Sequence, residues 1–160
     1  MNRPNEDDPG SSFKTPPTKL RIVFSDDEDV MHHLVELAIR GWCEDFTLIK
    51  FLKHEDCWQE LLRQDPDLLI MDMIKHNVPG RTNCTDMDGF RLLGLLAARM
   101  VKFPILVISG SFSMSGFEGA AKQFAGRDLN VHYLTKPFSK ELFHCALEAC
   151  LGARGTRVNS

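Results

Sequence analysis

Four short apolar runs in this chain end on groups able to handle charge. Leu20-Arg21-Ile22-Val23-Phe24 leads into Ser25-Asp26-Asp27-Glu28-Asp29, and Leu68-Leu69-Ile70-Met71 ends on Asp72. Ile105-Leu106-Val107-Ile108 ends on Ser109, and Val131-His132-Tyr133-Leu134 ends on Thr135-Lys136-Pro137. Three carboxylates brought together repel one another unless a cation neutralises them. An all-oxygen ligand set in an open crevice suits Mg²⁺, which keeps several waters and takes one or two carboxylates plus a phosphoryl oxygen. A carboxylate can also attack phosphorus and form an acyl phosphate, with an ammonium group and a metal balancing the charge of the transferred group. A serine hydroxyl can then donate to the new phosphoryl oxygens. Asp72 is the expected nucleophile, because its strand reads as the central one, while Asp26 and Asp27 are better placed to hold metal. Each residue alone has a plainer role. Asp26 or Asp27 could cap a helix, Asp72 could form a turn, Lys136 could be a solvated strand-end lysine, and Ser109 a loop hydroxyl. The combination is what points to a phosphoryl and metal site.

Such a site needs strands whose carboxyl ends share one edge, and the chain supplies them. Short apolar runs alternate with segments of helical period, which is a repeated βα pattern. Strands are predicted near 20–25, 46–51, 67–72, 104–109 and 130–135, and helices near 28–41, 55–64, 87–100, 113–125 and 138–151. The run from Leu68 to Met71 is continuously apolar, as in parallel strands covered on both faces. Val30, Leu34, Leu37 and Ile39 predict a buried face on the first helix, ending at Gly41. Phe138, Leu142, Phe143, Ala146, Leu147 and Cys150 predict one on the last, with Gly152 as its stop. Five such units make a doubly wound α/β layer fold. In open sheets of this kind ligands bind at the carboxyl ends of the strands.

The chain's 160 residues suit one domain with a single core. A hydrophobic content of 43%, a charged content of 26% and a formal charge of -3 suggest no polyanion-binding surface, so nucleic acid is not an expected partner. Five scattered cysteines without a CxxC pair indicate neither a disulfide framework nor a zinc site, and reduced, mostly buried thiols are expected. Residues 1–18, broken by Pro4, Pro9, Pro16 and Pro17, read as a disordered tail and lack the basic-then-apolar pattern of a secretion signal. No apolar run reaches the roughly 18 residues that span a bilayer. A cytoplasmic protein with no membrane partner is expected.

The chain resembles a response regulator receiver domain of two-component signalling. The resemblance rests on five blocks in order: Arg21-Ile22-Val23-Phe24-Ser25-Asp26-Asp27-Glu28, Glu60 through Met73, Met87-Asp88-Gly89-Phe90, Pro104 through Gly110, and Tyr133-Leu134-Thr135-Lys136-Pro137-Phe138. It covers about Leu20 to Leu151, and implies a receiver domain at 19–152 followed by a short tail at 153–160. It further implies a five-stranded parallel sheet of order 2-1-3-4-5, with helices on both faces in the flavodoxin-like manner. An aspartyl phosphate on Asp72 is implied, received from a sensor histidine kinase or histidine phosphotransfer protein with Mg²⁺ present. Asp27 would bind the metal directly, Asp26 largely through water, and the Ile74 main-chain carbonyl would be a further ligand. Ser109 and Lys136 would contact the phosphoryl group. Tyr133 would be the switch aromatic that turns inward with Ser109; its plainer role is an ordinary half-buried strand tyrosine. The Lys136-Pro137 bond is expected to be cis, which proline permits. The added charge would reshape a surface read by a downstream effector protein. By analogy that surface is formed by the fourth helix, fifth strand and last helix, where Phe112, Met114 and Phe117 are partner or core candidates.

Two departures from the family pattern stand out. Asp88-Gly89 follows the acceptor aspartate much later than usual, so residues 75–85 form an insertion beside the site. It is expected to act as a lid, select the kinase or slow hydrolysis; His76 within it reads as a solvated loop histidine. Ile74 offers no polar side chain to orient an attacking water, so slow self-dephosphorylation is expected. The chain is expected to be no enzyme beyond its own phosphorylation and dephosphorylation; with only a short tail after the last helix, either its effector is another protein or the chain is a segment cut from a larger one. Two competing readings remain: a receiver-fold interaction module that works without phosphate, and a haloacid-dehalogenase-like phosphatase. The latter needs an acid two residues after the nucleophile to protonate the leaving group, and Ile74 stands there.

Overall fold

The computed structural model describes residues 19–73, 87–110 and 129–152. Five strands form one parallel sheet: β1 (Leu20–Ser25), β2 (Phe46–Phe51), β3 (Leu68–Asp72), β4 (Ile105–Ser109) and β5 (Val131–Thr135). Their order is β2-β1-β3-β4-β5, as the resemblance implies. Four described helices flank them: α1 (Asp29–Arg40), α2 (His54–Arg63), α3 (Gly89–Ala98) and α4 (Lys140–Leu151). The predicted helix near 113–125, with Phe112, Met114 and Phe117, lies outside the described residues. So do the tails 1–18 and 153–160, the insertion with His76, and Ile74. Among the described residues no helix is long and apolar enough to cross a membrane.

Where length suggested a single core, the sheet divides the buried residues into two, as the alternation of side chains along a strand requires. From β3, Leu68 and Ile70 join Ile22, Phe24, Leu106 and Ile108 under α1 and α4. Leu69 and Met71 point the other way and join Val23, Ile105 and Val107 under α2 and α3. Every residue of β3 and β4 is buried, which is what a continuously apolar parallel strand requires.

Two predicted faces need correction. On α1 the buried residues are Met31, His32, Val35 and Ile39, while Val30, Leu34 and Leu37 are 68%, 50% and 53% exposed. The helix carries apolar side chains over an arc wider than the sheet can cover, and the sheet takes the adjacent stripe. On α4 the buried positions are Phe143, Leu147 and Leu151, and Leu142 is exposed. Phe138 precedes this helix and stacks on Phe143 with ring centroids 5.4 Å apart. Ser139 caps α4 by accepting from the Leu142 N–H at 3.1 Å, and Gly152 ends it with a φ of 60°, a conformation glycine adopts freely. Among the described cysteines only Cys57 is buried; Cys43 and Cys150 are half-buried and Cys145 is exposed, so burial of the thiols is narrower than expected. All four are free thiols.

Candidate functional site

Register brings the strand ends level. Ser25 pairs with Met71, Asp72 with Ile108 and Ser109 with Thr135, so the residues that follow emerge along one edge. The Lys136 N–H donates to the Ser109 carbonyl at 3.0 Å, which continues the ladder past β5. The Lys136-Pro137 bond is cis, as expected.

Asp26, Asp27 and Asp72 each offer a carboxylate oxygen within 4.8 Å of the others. Asp26 is fully buried; its Oδ1 accepts from the Glu28 N–H at 2.8 Å and its Oδ2 accepts from Lys136 Nζ at 3.0 Å. Neither Asp26 nor Asp27 caps α1, because the capping position is Glu28 and no side chain bonds there. Lys136 Nζ also lies 3.3 Å from Asp72 Oδ1 and 4.0 Å from Glu28 Oε1. Ser109, 1% exposed, ends the neighbouring strand β4. Tyr133 is half-buried on β5 and packs against the core under α2 and α3.

The charges in this cluster do not balance. Burial, then the negative charge of Asp26, pushes the Asp72 carboxyl up to about 6, with Lys136 pulling the other way. Burial works against the Lys136 ammonium, but Asp26, Asp72 and Glu28 outweigh it and hold its pKa above the ordinary value. Three carboxylates facing one ammonium leave net negative charge in a partly closed crevice, and their hard oxygen donors fit a small divalent cation.

Sequence reasoning missed what holds the aspartates from behind. His54, fully buried at the start of α2, has Nε2 2.8 Å from the Asp72 main-chain oxygen and Nδ1 2.6 Å from Ser25 Oγ. His32 on α1 has Nε2 2.6 Å from the Asp26 main-chain oxygen and packs its ring on Phe24. A signal was present: His54 opens the buried stripe continued by Cys57 and Leu61, and His32 sits beside Met31 and Val35.

The chain re-enters the site through a close approach. A side chain at Gly89 would sit 2.8 Å from the Met73 Cα and 3.0 Å from the Asp72 carbonyl oxygen, so only glycine fits there. Asp88 caps α3 by accepting from the Arg91 N–H at 2.8 Å, and the Met87 N–H donates to Glu55 Oε1. The Asp88-Gly89 pair thus reaches the end of β3 despite its late place in the sequence.

No family model matches the chain. Over 123 residues it is 28% identical to the cell cycle response regulator CtrA of Brucella ovis and of Brucella abortus, an overlap covering 76% of this chain and 46% of the relative. The chain therefore spans about half the length of the curated relatives it matches. Among solved structures, the signal receiver domain of an HD domain-containing protein from Pseudomonas fluorescens superimposes with a TM-score of 0.63 at 19% identity, covering 85% of this chain and 97% of that one. The signal receiver domain of a putative LuxO repressor protein from Vibrio parahaemolyticus gives 0.65 at 15% identity, covering 85% and 92%. The chain is thus similar in sequence to response regulators over 76% of its own length, and its fold is that of solved signal receiver domains.

Proposed function

We propose that the chain is a phosphoacceptor switch, in which Asp72 takes a phosphoryl group from the phosphohistidine of a sensor histidine kinase or histidine phosphotransfer protein. An Asp72 oxygen forms the new P–O bond as the P–N bond to the donor imidazole breaks, and the released imidazole takes up a proton. Lys136 Nζ, between Asp26 and Asp72, is the observation that carries this reading, because it lies where charge on the transferred group must be balanced. Ser109 is the hydroxyl donor to the phosphoryl oxygens. Asp26, Asp27, Asp72 and the Ile74 carbonyl would hold Mg²⁺, which when bound supplies further charge balance to the phosphoryl oxygens. The aspartyl phosphate then changes a surface near Tyr133 that a downstream effector protein reads.

Incubation with a small acyl phosphate and Mg²⁺, followed by intact-mass measurement, tests this. Wild type is expected to gain the mass of one phosphoryl group and Asp72→Ala to gain none. Failure of wild type to label would instead favour an interaction module that works without phosphate.

A further inference from the structure

We propose that His32 and His54 are positioning residues for the acceptor site, each gripping the main chain of one site aspartate from its own face of the sheet. The proposal rests on the reading of Asp72 as the phosphoacceptor.

The geometry is paired. α1 packs on the sheet face that holds Phe24 and Ile70, and α2 packs on the face that holds Val23 and Leu69. From the first, His32 Nε2 meets the Asp26 carbonyl at 2.6 Å; from the second, His54 Nε2 meets the Asp72 carbonyl at 2.8 Å. A carbonyl only accepts, so in each ring Nε2 must carry the hydrogen. Both rings are nearly or fully enclosed, His32 at 7% exposure and His54 at 0%. Enclosed polar bonds of this kind hold their partners in one arrangement, because breaking one strands a polar group away from water.

His54 does more than hold one carbonyl. Its Nδ1 is 2.6 Å from Ser25 Oγ, so the ring ties the residue before Asp26 to the backbone of Asp72 across the β1–β3 boundary. The carboxylates on these two strands repel each other, and the single ammonium of Lys136, 3.0 Å from Asp26 and 3.3 Å from Asp72, offsets that repulsion only in part. The histidines hold the main-chain carbonyls of Asp26 and Asp72, not their carboxylates, and so fix where those carboxylates start. They touch no reacting atom.

The test compares His54→Leu and His54→Gln, and likewise His32→Leu and His32→Gln, with wild type in the full chain. Wild type must first label with acyl phosphate and Mg²⁺; absence of labelling there defeats the phosphoacceptor reading itself, whatever the variants do. With wild type active, the Leu variants are expected to lose between about ten- and a hundredfold in labelling rate at saturating acyl phosphate, with its half-saturating concentration little changed. Gln, whose amide can still donate, is expected to recover part of that loss. Folded Leu variants that label at the wild-type rate, or Gln variants no better than Leu, would overturn the proposal. If the Leu variants fail to fold, ring ¹⁵N spectra of wild type decide. Protonated Nε2 in both rings, with slowly exchanging hydrogens, is expected, and an unprotonated Nε2 in either ring would overturn it.

Discussion

β3 and β4 are buried at every position, and β1 at all but one, whereas β5, the strand that delivers Lys136, is half-exposed from Val131 to Leu134 and open at Thr135. The carboxylates Asp26 and Asp72 therefore stand on the most enclosed strands of the sheet and the ammonium arrives on a more open one. Packed strands cannot back away from one another to relieve repulsion. Charge at the acid end must be handled in place, by Lys136, by a proton on Asp72 or by a bound cation. The edge at β5 is less enclosed, so under the proposed function a change of charge at Asp72 is expected to be felt there first.

The largest effect that would sharpen this contrast comes from the inner strands. Ile70→Ala is expected to lose about 2–5 kcal/mol of stability, the usual cost of emptying a fully buried aliphatic site, while Leu34→Ala on the outer face of α1 should stay within about 0.5 kcal/mol. Urea unfolding of both variants checks this. Equal losses would dissolve the distinction between scaffold and surface.

Next in size is Lys136→Met. It removes a positive charge 3.0 Å from Asp26 and 3.3 Å from Asp72, so labelling by acyl phosphate should slow at least about tenfold while Mg²⁺ binding tightens. Calorimetric Mg²⁺ titration beside the labelling assay separates the two. Weaker Mg²⁺ binding would mean that Lys136 supports the cluster instead of competing with a cation.

A smaller effect is the pH response of Asp72. Its carboxyl is raised by burial and by Asp26 from 3.8 to about 6, so between those values the folded protein holds the proton more firmly than the unfolded chain does. The stability contributed by Asp72 is thus fully present below about 4 and is lost as pH rises through 6, when no divalent cation is bound. Unfolding in chelator from pH 4 to 7 should show this fall in wild type and not in Asp72→Asn, and Mg²⁺ should bind more weakly below pH 6.

The smallest effect lies on the surface. Lys50, then Arg40, holds the Glu36 carboxyl down to about 2 from 4.5. Its contribution is present above 4.5 and lost as pH falls toward 2, and Glu36→Gln should remove it. As the pair is solvent-facing, added salt should shrink the difference.

Much of this was legible in the residues. A continuously apolar β3 ending on Asp72, and β1 running into Asp26-Asp27, have few other uses in a parallel sheet, and Lys136-Pro137 completes the edge. The face of α1 was not legible, because Val30-Leu34-Leu37 and Met31-Val35-Ile39 are equally apolar and only the sheet decides between them. His32 and His54 were missed for a related reason: histidine is at home in water or in a core, and its use here depends on carbonyls brought near by strands distant in sequence. The late Asp88-Gly89 pair read as a displaced motif, yet the space that only glycine can occupy beside Met73 returns it to the end of β3.

The account stands on three aspartates meeting around one cation beside Lys136. Crystals grown with Mn²⁺, which takes the same oxygen ligands as Mg²⁺, would test it by anomalous scattering. A single peak bound by Asp27 and Asp72, with Asp26 within a water's reach, is the predicted result. No peak at this cluster, or an Asp72 carboxylate turned away from Asp26, would contradict it.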